Sequence, residues 1–81
     1  MKWLLTSRAR RDYVAAPVRL QKAFDKQVRL LAHDLRHPSL RAKKYDEAQS
    51  IWQARVNRDW RFYFQVAGDT YTILAIVPHP K

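Results

Sequence analysis

Apolar positions in the first half of the chain recur at helical spacing. Leu20, Phe24, Val28 (or Gln27), Leu31 and Leu35 fall three or four residues apart, while Arg19, Lys22, Lys26, Arg29 and His33 lie mostly off that stripe. The pattern predicts an amphipathic helix with Pro17 in its first turn, where a missing N–H costs nothing. Pro38 is expected to end it by restricting His37 and removing a donor. Upstream, Ser7 is a suitable N-cap for a shorter helix over about 8–15, and residues 1–6 can form a short first strand. The stretch 37–50, HPSLRAKKYDEAQS, has neither period and reads as a polar loop, functional or mobile at that length.

Beyond the loop, 50–56, 60–66 and 70–77 are rich in β-branched and aromatic residues and read as strands. The turns between them, Asn57-Arg58-Asp59 and Ala67-Gly68-Asp69-Thr70, are short enough to force antiparallel neighbours. Pairing Val56 with Trp60 sets Ala54 opposite Phe62 and Trp52 opposite Phe64. Across the second turn Val66 meets Tyr71, Phe64 meets Ile73, Phe62 meets Ala75 and Trp60 meets Val77. One face of this meander is almost wholly apolar and should pack under the helices. The expected fold is α+β: two N-terminal helices on one face of a small twisted antiparallel sheet, built from the N-terminal strand and a three-stranded C-terminal meander, one domain over 1–81.

Composition supports such a core. Of 81 residues 47% are hydrophobic, and three Trp, four Tyr and three Phe supply large buried surfaces. There is no Cys, so disulfides and thiolate metal sites are excluded, which fits a reducing cytoplasm. His33, His37 and His79 are scattered without a supporting carboxylate pattern, so neither metal nor cofactor is expected. Trp3-Leu4-Leu5 is too short for a leader or a membrane span.

Charge narrows the partners. Sixteen Lys and Arg against seven Asp and Glu give a net charge of +9, which attracts polyanions. Membrane binding would want that charge on one amphipathic helix with a free apolar face. Here it runs through helices, loop and strands alike, which favours nucleic acid or the ribosome and argues against a membrane.

The second face of the meander sharpens this. Its register places Arg55 opposite Arg61, Gln53 opposite Tyr63 and Ile51 opposite Gln65. Like charges directly opposed cost a few tenths of a kcal/mol. An anion between the two guanidiniums gives the pair a purpose, because their forks match phosphate oxygens. The alternative is that each is neutralised by a carboxylate such as Asp59, or extends to water. The same register leaves Leu74 and Ile76 as an apolar patch beside this basic groove, to be covered by an amphipathic partner segment or by the long loop.

The residues from 37 to 80 resemble the RelE/ParE toxin superfamily of bacterial toxin–antitoxin systems. The resemblance lies in the His-Pro-x-Leu opening, the Ile-Trp-Gln-Ala-Arg-Val strand, the Asn-Arg-Asp-Trp-Arg-Phe-Tyr-Phe turn and strand, and a last strand ending near His79. With the helices it spans nearly the whole chain. It implies either of two activities: RelE-like members cut messenger RNA, usually on the ribosome, and ParE-like members inhibit DNA gyrase. Both are neutralised by a cognate antitoxin that wraps the toxin and often represses the shared operon, so a hetero-oligomer on operator DNA is a further expectation.

RelE-like cleavage needs a base, an acid and cations around a phosphate attacked by the adjacent 2′-OH, with no metal. The resemblance implies that Arg61 is the phosphate clamp, and that Lys43 or Lys44, in the basic stretch before the strand, serves as base or electrostatic stabiliser. Arg55 is a second cation by register, and Arg58, in the turn, can reach substrate or ribosome. Family members often carry an acid/base residue just after the last strand. His79 fits, since extrapolated register sets it near Arg58 and imidazole titrates near neutrality. Tyr63 faces the groove and can stack on a base. Many RelE-like enzymes continue into a C-terminal Tyr or helix where this sequence stops at Lys81. That departure supports one rival, an inactive toxin retained as a regulatory partner; the other rival, a gyrase inhibitor, needs the same charge but no proton-transfer residue.

Overall fold

Thr6, one residue before the expected cap, starts the first helix. Its Oγ1 accepts the Ala9 N–H at 3.1 Å and donates to the Leu74 carbonyl at 3.0 Å, tying the helix start to the last strand. The computed structural model describes residues 2–79; expectations touching Met1, Pro80 and Lys81 lie outside the described residues. The elements are β1 (Lys2–Leu5), α1 (Ser7–Ala15), α2 (Val18–His33), a 3₁₀ helix (Pro38–Leu40), β2 (Lys43–Asp46), β3 (Ile51–Arg55), β4 (Trp60–Ala67) and β5 (Thr70–Pro78).

Pro17 is the N-cap of α2 rather than a member of its first turn. The helix also ends well before Pro38, because Asp34 offers the chain another conformation. Asp34 is extended, and its Oδ1 accepts the Arg36 N–H at 2.9 Å, a local turn that competes with helix. Leu35, expected on the helical stripe, lies beyond the helix and packs partly buried against the core. His37 caps the 3₁₀ helix, its Nδ1 accepting the Ser39 N–H at 3.1 Å.

The sheet order is β1-β5-β4-β3-β2. Strands β2 to β5 form an antiparallel meander, and β1 joins β5 in parallel, so the sheet is mixed rather than antiparallel throughout. The strand β2 arises inside the expected polar loop. Its sequence, Lys-Lys-Tyr-Asp, has no alternating burial because it is an edge strand held by backbone pairing, and charge suits such an edge.

The β3–β4 register is the expected one, with Ala54 opposite Phe62, Trp52 opposite Phe64 and Arg55 opposite Arg61. The β4–β5 register agrees as far as Phe64 and Ile73, then slips by one residue at a bulge. Tyr63 therefore faces Ala75, Phe62 faces Ile76 and Trp60 faces Pro78, in place of the expected Phe62–Ala75 and Trp60–Val77 pairs. The slip turns Ile76 into the core, where it is 3% exposed. The expected Leu74 and Ile76 patch does not form, and Leu74 alone stays half-buried.

The core lies between the helices and the sheet. Ala9, Leu20, Phe24, Val28 and Leu31 meet Ala54, Phe62, Phe64, Ile73 and Ile76, and Phe24 sits edge-on to Phe62 at 5.4 Å. Gln27 is buried beside Val28. Its Nε2 donates to the carbonyls of Ser39 (3.0 Å) and Arg55 (2.8 Å), and its Oε1 accepts from Ser39 Oγ at 3.1 Å. One side chain thus fixes the 3₁₀ helix against the end of β3.

Candidate functional site

The face of the sheet turned away from the helices carries a row of arginines at one end. Arg55 and Arg61 are paired across β3 and β4, and Arg61 faces Val77 on β5. Arg41, two residues before the first β2–β3 pair Lys43–Gln53, comes near enough to add its charge to that of Arg55 at Arg61. Arg41 closes the 3₁₀ helix in the left-handed region, at φ 47°. Sequence reasoning missed it because its place in the row depends on β2.

Arg61 is held by the turn that precedes it. Its Nη1 donates to the Asn57 carbonyl at 2.7 Å and to the Trp60 carbonyl at 2.9 Å, with the Arg58 carbonyl at 3.5 Å. Asn57 organises the same turn, its Oδ1 accepting the N–H groups of Asp59 and Trp60 at 2.9 and 3.0 Å. Burial, then the positive charges of Arg55 and Arg41, press the Arg61 guanidinium below its ordinary pKa; Asp59 and Tyr63 oppose them. Among the described residues the ion pairs are Arg8–Asp12 and Lys44–Glu47, each at 3.8 Å. Among the described residues no carboxylate forms an ion pair with Arg41, Arg55 or Arg61, and Asp59 acts on Arg61 only through its charge. The row is an excess of positive charge with one member fixed in place.

Next to the arginines lies a row of Lys43, Gln53, Tyr63 and Ala75. Gln53 Nε2 donates to the Tyr63 hydroxyl at 3.0 Å, and the Tyr45 ring meets the Tyr63 ring edge-on at 4.9 Å. Tyr45, Ile51, Tyr63, Leu74, Ala75 and Arg8 enclose a hollow of about 270 Å³ along this face. Strand alternation separates the two lysines. Lys43 shares the outer face with the arginines, whereas Lys44 pairs with Trp52, its Nζ 5.4 Å from that ring's centroid and 3.8 Å from Glu47. Arg58 is exposed in the turn. The main chain of His79 is pinned at the same end, its N–H donating to the Asp59 carbonyl at 2.8 Å, and the residue is exposed. The structure thus brings Arg55, Arg61, Lys43 and Tyr63 onto one face, sets Arg58 and His79 at its arginine end, and puts Lys44 on the other side.

No group of three or more potential His, Asp or Glu metal ligands occurs among the described residues. No helix among them is long and apolar enough to cross a membrane.

Two helices across one face of a mixed sheet, with cations lining the other, define a small basic α+β protein suited to an anionic partner. More particularly, the chain has the fold of the RelE/ParE toxin superfamily. It superposes on the YoeB/ParE toxin from Agrobacterium tumefaciens with a TM-score of 0.82 at 16% identity, over 99% of this chain and 100% of that one. The YoeB dimer from Staphylococcus aureus gives a TM-score of 0.82 at 13% identity, over 99% and 98%. The archaeal RelE–RelB complex from Pyrococcus horikoshii gives 0.80 at 15% identity, over 95% and 92%. No protein-family model and no curated protein matches the sequence.

Proposed function

We propose that this protein is the toxin of a toxin–antitoxin pair and that it cleaves messenger RNA, on the ribosome, by acid/base chemistry at one phosphate. The observation that carries the reading is the facing pair Arg55 and Arg61, in no ion pair among the described residues and with Arg61 gripped by its own turn. Such a pair is preorganised for the oxygens of a phosphodiester, whose negative charge grows as the reaction proceeds.

In this reading Arg61, Arg55 and Arg41 hold the non-bridging oxygens. A base takes the proton of the ribose 2′-OH, the 2′-oxygen attacks phosphorus, and the bond to the 5′-oxygen breaks. An acid supplies that leaving oxygen with a proton, so the products are a cyclic phosphate and a 5′-OH. His79, held beside the turn, is the leading acid/base group. Lys43 assists from the same face, while Lys44 is engaged elsewhere. Tyr63 offers a ring to a neighbouring base, and Arg58 reaches from the turn toward RNA or ribosome. Toxin–antitoxin complexes of the same fold, RelE–RelB and YoeB–YefM, support an antitoxin as partner. An acidic antitoxin covering the outer face would silence the row, and the pair could assemble further on operator DNA.

Induced expression tests this. Wild-type protein should arrest growth and leave new 5′ ends in messenger RNA on primer extension. Arg61→Ala, folded by circular dichroism, should abolish both, and full toxicity of that variant would remove the assignment. A second reading, gyrase inhibition of the ParE type, draws on one observation. Among the described residues no hydrogen bond links Lys43, Lys44 or His79 to the arginines. Intact messenger RNA with DNA-damage signalling would select it.

A further inference from the structure

Arg41 belongs to two places at once. It is close enough to Arg61 to press down that guanidinium's pKa, and it also lines a separate hollow of about 240 Å³ between the end of α2, the 3₁₀ helix and β3. Arg36, His37, Leu35, Pro38 and Trp52 share the lining with it, and no Asp or Glu does. Trp52 is backed by Phe64, the two rings stacked 6.2 Å apart at 16°, and Lys44 Nζ sits over the indole 5.4 Å from its centroid, so a base entering the hollow reaches the ring by displacing the partly exposed Lys44 amine. Because His37 Nδ1 accepts the Ser39 N–H, the neutral ring carries its proton on Nε2 and remains a donor.

We propose that this hollow is a second nucleotide subsite, taking one unpaired RNA base against Trp52 and its phosphate on Arg36 and Arg41. The inference rests on the RNA-cleaving reading above and adds a place for a nucleotide flanking the attacked linkage. Three features favour that occupant. The lining is cationic and aromatic, the pairing that single-stranded nucleic acid uses. The volume falls below the roughly 300–1,000 Å³ of sites for drug-sized ligands, which suits a single base. Arg41 also stands close enough to Arg61 for its charge to act there, so the hollow adjoins the phosphate-binding row and can serve a neighbouring nucleotide.

The full-length protein can be tested with fluorescein-labelled oligoribonucleotides of two and four nucleotides, 2′-O-methylated to block attack, read by anisotropy. The Arg36 side chain makes no hydrogen bond among the described residues, since only its backbone N–H is engaged, so Arg36→Ala should leave the fold intact. Wild-type protein should gain about tenfold in affinity from the dinucleotide to the tetranucleotide, the scale of one stacked base and one phosphate contact. Arg36→Ala should lose that gain yet bind the dinucleotide as wild type does. Trp52→Leu, if folded, should behave alike. An undiminished gain in Arg36→Ala overturns the subsite and leaves the hollow to an acidic protein side chain. An equal loss at both lengths overturns it too, as a general charge effect. Failure of the RNA-cleaving reading shows separately, as Arg61→Ala binding both lengths like wild type.

Discussion

Arg55 and Arg61 stand directly opposite each other on β3 and β4, with no carboxylate paired to either among the described residues. A sheet gains nothing from two facing guanidiniums, so the fold carries a repulsion that an anionic ligand would relieve. Arg55→Gln should therefore separate stability from binding. The variant should be more stable than wild type by about 0.2–1 kcal/mol in urea unfolding. Its RNA affinity should fall, and the salt slope of binding should shrink by about 1. A destabilised Arg55→Gln would mean that the charge is compensated within the fold.

Gln27→Ala removes the buried side chain that bridges α2, Ser39 and Arg55. The Ser39 and Arg55 carbonyls would lose their donor, at an expected cost of about 1–3 kcal/mol. Because Arg55 ends β3, amide exchange should quicken there and in the 3₁₀ helix before the core strands respond.

The bulge at Leu74 predicts a contrast between two residues of similar size. Ile76→Ala empties a core position facing Phe62 and should cost about 2–5 kcal/mol. Leu74→Ala, half-buried on the outer side, should cost about 1 kcal/mol. Denaturant unfolding of the two variants checks this contrast, since a strand without the slip would expose both side chains.

Tyr13 donates to both oxygens of Asp25, at 3.0 and 3.2 Å. Burial first, then the bond to and the charge of Asp25, raise its pKa above the ordinary phenol value; burial and Asp34 do the same for Tyr71. The folded state thus favours the protonated phenols. Their contribution to stability is complete below about pH 10, the unfolded value, and is lost as pH rises through the higher folded values. Tyr13→Phe should lower stability at neutral pH by about 1 kcal/mol and flatten the alkaline decline. Unfolding free energies measured from pH 8 to 11 check both.

The legible parts of this fold are those governed by local chemistry. A short turn and strict alternation were enough to place Arg55 against Arg61 and Trp52 against Phe64. The β4–β5 register failed past Phe64 because the bulge is held partly by Thr6, a contact 68 residues distant in sequence that no window reveals. The end of α2 was misplaced because a side chain, Asp34, outcompeted the helix before Pro38 was reached. Strand β2 was invisible because an exposed edge strand leaves no apolar imprint. That omission hid Arg41 and obscured the difference between Lys43 and Lys44, which only strand alternation creates.

The first strand lies beside the last, and the arginine row is assembled from three segments between Arg41 and Arg61. A chain emerging from its amino end consequently holds β1 without a neighbour until β5 has been made. Contacts of such long sequence separation slow folding. They also mean that prematurely terminated products lacking β5 cannot seat β1 or the start of α1.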